Sequence, residues 1–105
     1  MGYTLSMSYH DELIESLRDP VERAAYINAA LEDGDRRILL KALRNVAEAN
    51  GGMGRLASRA KLSRESLYRM LSESGNPELA SIERVFRSLG LALRVVPHKS
   101  HAHAH

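Results

Sequence analysis

The stretch KLSRESLYRMLSESGNP, residues 61–77, reads as a short helix whose outward positions carry groups that can bind DNA bases. The inward set is Leu67, Met70 and Leu71, and the outward set is Arg64, Glu65, Tyr68 and Arg69. An arginine can donate two hydrogen bonds to guanine, and a carboxylate can accept one from cytosine. An exposed carboxylate weakens binding to phosphates, so Glu65 favours contacts with bases. The spacing therefore predicts a helix that reads a major groove.

Three further basic side chains lie just before this helix, where phosphates would pass. They are Arg55, Arg59 and Lys61, and they would add affinity without reading sequence. From residue 53 to residue 74 five basic side chains stand against two acidic ones. A basic helical face that is merely solvated remains the alternative, because such faces are common on soluble proteins.

Two helices and a short turn must position these groups. The first helix, about 53–60, would bury Leu56, Ala57 and Ala60. The turn Lys61-Leu62-Ser63 has the length of a helix-turn-helix connection, with Leu62 closing the junction. Ser63 is expected to cap the second helix, 64–73, by accepting from the backbone N–H of Glu65 or Ser66.

The rest of the chain predicts further helices around one core. Helices are expected at about 9–18, from Asp19-Pro20 to Gly34, from Asp35 to Asn50, and at about 78–89, with Asp19 and Asp35 as N-caps. The expected core positions of the second of these are Val21, Ala24, Ile27 and Leu31. The predicted fold class is all-α, with five to six helices and one short C-terminal strand.

The segment LALRVVP, residues 91–97, alternates as a strand does, with Leu91, Leu93 and Val95 on one side. A single strand leaves its backbone groups unpaired. Pairing with the same strand of a second subunit about a two-fold axis would satisfy them, so the sequence predicts a homodimer. An irregular tail packed on the helices is the alternative.

Composition limits the class of protein. The 105 residues suit one domain, assigned to 9–97, after an arm at 1–8. The tail HKSHAHAH, residues 98–105, is typical of a metal-affinity tag and is left outside the fold. There is no cysteine, no apolar run long enough for a membrane helix and no signal-peptide pattern at the start. A cytoplasmic protein without a membrane contact is expected.

Charge is divided unevenly between the two parts of the chain. Residues 1–35 hold two basic and eight acidic side chains, a net charge of −6, whereas residues 36–105 carry +8. The second part favours a polyanion such as double-stranded DNA. The acidic segment 9–35 could bind a basic protein or form a solvated surface. Deletion of residues 1–35 is expected to abolish binding of the basic protein and to spare specific DNA binding.

Catalysis finds little support in the residues. His10 is the sole histidine before the tail, and the paired acids Glu12 with Glu15 and Asp33 with Asp35 have no glycine-rich loop or metal spacing nearby. Neither an enzyme nor a cofactor or metal is predicted.

Residues 56–95, LASRAKLSRESLYRMLSESGNPELASIERVFRSLGLALRV, resemble the helix-turn-helix of the lambda-repressor-like (Xre) superfamily. The upstream stretch 24–57, which begins AAYINAALEDG, is similar to the HigA-type addiction-module antidote proteins within it. Two positions depart from the superfamily pattern. Lys61 stands where glycine is frequent, which implies either a strained turn or a turn that is built differently. Gly54 stands where many relatives have a polar residue that contacts phosphate.

The resemblance implies a DNA-binding antitoxin and transcriptional repressor that also neutralises a co-transcribed toxin, typically a RelE/HigB-like ribonuclease. By position it places Ser63, Arg64, Glu65 and Arg69 at bases, and Arg55, Arg59, Lys61, Ser66 and Tyr68 at the backbone or flanking bases. A dimer would present two such helices to a palindromic operator. A plain Xre-type regulator with no toxin partner is the alternative.

Overall fold

The computed structural model describes residues 8–98, and this part of the chain forms six helices and no strand. They are α1 (Tyr9–Ser16), α2 (Pro20–Asp33), α3 (Arg36–Ala49), α4 (Met53–Ala60), α5 (Arg64–Met70) and α6 (Leu79–Ser88). The all-α prediction with five to six helices is confirmed. Within residues 8–98 no helix has the length and apolarity needed to span a membrane. Most of the predicted arm, and the histidine tail beyond His98, lie outside the described residues.

Local capping chemistry sets the start of α2 and α3, as the sequence predicts. The carboxylate of Asp19 accepts from the N–H of Val21 at 2.9 Å, and that of Asp35 accepts from Arg37 at the same distance. Hydrogen bonds from the side chain and then the backbone of Arg37 hold the pKa of Asp35 below its ordinary value. Gly34 ends α2 with φ of 85°, which costs glycine little.

One apolar core joins all six helices, with α3 at its centre. The largest fully buried side chains are Leu17, Ile27, Leu40, Leu43, Val46, Leu67, Leu71 and Val85. Helix α3 packs on α1, α2 and α4, while α4 packs on α5 and α6. The acidic helices α1 and α2 therefore share one core with α4 and α5.

The prediction of which residues form the inner face of α2 is partly wrong. Ile27 is buried, but Val21 is 73% exposed and Leu31 is 43% exposed. Helix α2 instead buries Arg23, Ile27 and Ala30. Arg23 lies on this inward side of α2, where its guanidinium donates four hydrogen bonds to groups of other segments.

The guanidinium of Arg23 binds the C-terminal ends of three other helices. Nε donates to the carbonyl oxygen of Leu17, the cap of α1, at 3.1 Å. Nη1 donates at 2.7 Å to the carbonyl oxygen of Leu89, which caps α6. Nη2 donates to the carbonyl oxygen of Arg18 at 2.8 Å and to the side-chain oxygen of Asn50, the cap of α3.

This arrangement overturns one expectation about deletion. Removing residues 1–35 would take away Arg23 and the buried side chains of Leu17, Ile27 and Ala30. The remaining helices would lose part of their core, so such a deletion cannot separate two functions. Single surface substitutions are the appropriate test.

The segment after α6 forms no strand within the described chain. Leu91 donates its N–H to the carbonyl oxygen of Phe86 at 2.8 Å, and residues 92–97 then make no backbone hydrogen bond with any described residue. Leu93 is 40% exposed and Val95 is 100% exposed. A strand requires a neighbouring strand, and residues 8–98 of one chain offer none, so the paired strand stays a prediction.

Candidate nucleic-acid interface

Helices α4 and α5 pack against each other through the side chains that the sequence assigns to their inner faces. Leu56, Ala57 and Ala60 are at most 3% exposed, and Leu67 and Leu71 are fully buried. Leu62 in the turn and Met70 on α5 are partly buried against the same core. These predicted contacts are confirmed, although α5 ends at Met70 instead of residue 73.

The early end of α5 follows from the close approach of the next turn. The N–H of Gly75 donates to the carbonyl oxygen of Ser72 at 2.9 Å. A Cβ atom at Gly75 would lie 2.1 Å from the carbonyl oxygen of Met70, which no side chain can do. Glycine at this position therefore lets the chain turn directly beneath the end of the helix.

The turn between the two helices is strained at Lys61. This residue has φ of 60° and ψ of 44°, and it is the one non-glycine residue with positive φ among residues 8–98. The left-handed conformation closes the turn, since Leu62 then donates to the carbonyl oxygen of Ala57 at 2.9 Å. The strain expected from the absence of glycine is confirmed.

Ser63 caps α5 as predicted, and its Oγ accepts from the N–H of Ser66 at 3.0 Å. Replacing Ser63 with alanine removes this acceptor and should lower the free energy of unfolding by about 1 kcal/mol. Ser58 on α4 is a matched control, because it is exposed and its hydroxyl makes no hydrogen bond within the described chain. Urea denaturation of both alanine variants checks the difference, and equal stabilities would contradict the capping role.

The outward face of α5 carries the predicted base-reading side chains. Ser63, Arg64, Glu65 and Arg69 are all exposed, and Tyr68 is 52% exposed, whereas Ser66 is half-buried. The three ion pairs of the described residues lie elsewhere, at His10–Glu48, Arg18–Glu15 and Arg37–Asp35. The basic groups of α4 and α5 are thus not neutralised by carboxylates of the described chain.

Arg64 lies across the start of α4. A Cβ atom at Gly54 would lie 3.4 Å from both Cζ and Nε of Arg64, so the guanidinium packs directly over this glycine. A larger side chain at residue 54 would push Arg64 away. Glycine at residue 54, where many members of the superfamily have a polar residue, therefore leaves space for the guanidinium of Arg64 from α5.

Arg59 lies on the other flank of α4. Gly54 and Arg59 are five residues apart, which separates their directions by about 140° around a helix. Arg59 and Lys61 line an open cavity of about 370 Å³ together with Arg84 and Arg87 of α6. Arg59 and Lys61 therefore lie on a different side of α4 from the guanidinium of Arg64. Sequence reasoning missed Arg84 and Arg87, whose spacing of three residues on one helix was the available signal.

Comparison with known proteins assigns the family. The profile of a family described as "Probable addiction module antidote protein" matches residues 8–97, which include all six helices. The chain belongs to this family of probable addiction-module antidote proteins. A protein of Haemophilus influenzae, described as an uncharacterized protein, is 34% identical over 84 residues, 80% of this chain and 86% of the relative. No solved structure matches the chain.

The antidote-family match extends over α1–α3 as well as α4–α6, and all six helices contribute to one core. Among residues 8–98, no group of three or more histidine, aspartate or glutamate side chains is placed to hold a metal ion.

Proposed function

We propose that this chain is a DNA-binding antitoxin that represses its own operon and neutralises a co-transcribed toxin. The observation that carries the DNA-binding part is the outward face of α5, where Arg64 and Arg69 flank Glu65 and no basic group is paired with a described carboxylate. Membership of the antidote family supports the antitoxin part. The finer assignment, to the HigA-type group of the lambda-repressor-like superfamily, rests on the resemblance of residues 24–95.

The proposed contacts fall into two classes. Base contacts are assigned to Ser63, Arg64, Glu65 and Arg69, and backbone contacts to Arg55, Arg59, Lys61, Ser66 and Tyr68. Ser63, Arg64 and Glu65 are exposed at the start of α5, whose residues reach base edges in a helix-turn-helix, and this supports the first class. Arg69 is exposed in the last turn of the same helix. Positive charge on α4 and the turn supports the second. The proposal needs no cofactor and no catalytic step.

A homodimer would align two copies of α5 on one operator. We assign the contact to a strand made by Leu91, Leu93 and Val95, paired with the same strand of a second copy. The unpaired backbone groups of residues 92–97 within the described chain support this assignment, as does the full exposure of Val95. Two-fold symmetry would then place the recognition helices about 34 Å apart, so the operator should be a palindrome.

Selection from a pool of random double-stranded DNA tests the DNA-binding part. We expect enrichment of a palindrome with half-sites about one helical turn apart, and an affinity that falls steeply as salt is raised. The variant Leu93→Lys should bind single half-sites normally and lose the preference for paired ones. Recovery of no common sequence would refute operator reading by α5.

The toxin contact is assigned to the exposed surface of α1 and α2. Its acidic side chains without an ion pair in the described chain are Asp11, Glu12, Glu22, Glu32 and Asp33. Val21 and Leu31 add exposed apolar area on the same helices. Acidic groups around apolar ones suit a basic protein such as a RelE/HigB-like ribonuclease.

Co-expression with the product of the neighbouring gene tests this part. The double variant Glu22→Gln/Glu32→Gln should relieve growth arrest less well than the unchanged chain, because two complementary charges are lost. The matched control Glu73→Gln/Glu83→Gln removes two exposed acids from the other half of the molecule and should neutralise the toxin normally. A neighbouring product that is not toxic would favour a plain transcriptional regulator.

A further inference from the structure

A concentration of positive charge lies between the end of α4 and the second half of α6. Its cavity of about 370 Å³ is lined by Arg59, Ala60, Lys61, Arg84, Arg87 and Ser88. All four charged residues are exposed, and none forms an ion pair with a carboxylate of the described chain. Glu83 stands one turn before Arg87 on α6 without pairing with it. Four like charges repel one another, so a bound anion would relieve this repulsion.

Arg84 lines the cavity and is held in place by two hydrogen bonds. Its Nε donates to the carbonyl oxygen of Ala60 at 3.1 Å, and its Nη2 donates to that of Lys61 at 2.8 Å. These bonds tie α6 to the last turn of α4 and restrict the rotamer of Arg84. No described residue accepts from Nη1, so the fixed guanidinium keeps one donor group for a ligand. A preorganised donor binds at a lower entropic cost than a mobile one.

Lys61 gives a second, independent indication. Its backbone is left-handed, a conformation that glycine adopts without steric cost and lysine does not. Backbone strain outside glycine is concentrated at functional positions, where the side chain is needed. Here the strained residue supplies one of the four charges that line the cavity.

We propose that Arg59, Lys61, Arg84 and Arg87 form a phosphate-binding site. Several guanidinium groups converging with an ammonium group suit a phosphate, whose oxygens accept paired hydrogen bonds from arginine. The site deepens the proposed DNA contacts of Arg59 and Lys61, on which its first possible source rests, by adding Arg84 and Arg87 of α6. It does not need α5 to touch a base. The phosphate belongs either to a DNA backbone or to a free phosphorylated compound.

Binding to a 30-base-pair duplex of random sequence tests the first source. Changing Arg87 to glutamine should weaken affinity about three- to tenfold at low salt and reduce the slope of log affinity against log salt by about one. Lys61→Gly should weaken affinity to a similar extent while its Tm stays equal or rises, since glycine removes the strain. Arg18→Gln, the same charge change on the acidic half, is the control and should bind as the unchanged chain does.

Titration with inorganic phosphate, followed by NMR of the arginine side chains, tests the second source. Saturable shifts at Arg84 and Arg87 that vanish in Arg87→Gln, with unchanged duplex affinity, would assign the site to a free phosphorylated compound. If Arg87→Gln and Lys61→Gly change neither duplex binding nor phosphate shifts, the proposal is overturned. That result would not contradict operator reading, because the selection of a palindrome depends on α5. Conversely, if the selection recovers no common sequence, the random-duplex and phosphate titrations still test the phosphate site.

Discussion

Replacing Arg23 with methionine is expected to lower the free energy of unfolding by about 3 kcal/mol and the Tm by more than about 10 °C. Methionine fills much of the same volume but donates no hydrogen bond. The carbonyl oxygens of Leu17, Arg18 and Leu89 would then lose a donor in a place that water reaches poorly. A cation among three helix C-termini also loses a favourable interaction with their dipoles.

The control for this effect is Arg18→Met. The Arg18 side chain is exposed and pairs only with Glu15, at 3.3 Å on the same helical turn, so its loss should cost less than about 0.5 kcal/mol. Thermal unfolding followed by circular dichroism compares the two variants directly. Equal Tm values would mean that water replaces the Arg23 guanidinium at all three helix ends.

The second large effect is expected on DNA recognition. Replacing Arg64 with alanine should cost about 1–3 kcal/mol of binding free energy at one base pair of the selected operator, because one arginine discriminates a guanine by two hydrogen bonds. Fold stability should change little, since Arg64 is exposed and its side chain makes no hydrogen bond or ion pair among residues 8–98. Affinity is measured for the selected operator and for each of its single-base variants.

The way in which the affinity of Arg64→Ala varies among the operator variants distinguishes a base contact from a phosphate contact. A base contact predicts that Arg64→Ala becomes indifferent to substitution at one position and keeps its preferences elsewhere. Equal losses for every sequence would make Arg64 a phosphate contact. Arg36→Ala serves as the control, because this exposed arginine of α3 contacts Asn76 and is not assigned to the DNA interface.

The parts of the fold that the sequence predicts are those decided within a few residues. Asp19, Asp35 and Ser63 cap helices through bonds that span two or three residues, so the residue types alone indicate them. The turn at Lys61 follows in the same way from its length and from the leucines on both sides. Helix periodicity likewise placed the inner faces of α4 and α5.

The parts that escaped prediction depend on distant segments. Burial of Arg23 requires carbonyl groups from residues 17 and 89, which only the finished fold brings together. A polar residue near an apolar stripe is normally assigned to the surface. This rule led to a wrong prediction of which face of α2 is buried. Arg84 and Arg87 join Arg59 through the packing of α6 on α4, which no local pattern encodes.

Because charge is unevenly distributed along the chain, added salt is expected to act in opposite directions on the free protein and on its complex with DNA. The segment before residue 36 carries −6 and the remainder +8, so each region repels itself. Added salt screens this repulsion and should raise the melting temperature of the unliganded protein. The same ions compete for the phosphates of a duplex and should release the protein from it. High salt that stabilises the free protein is therefore expected to dissociate it from DNA.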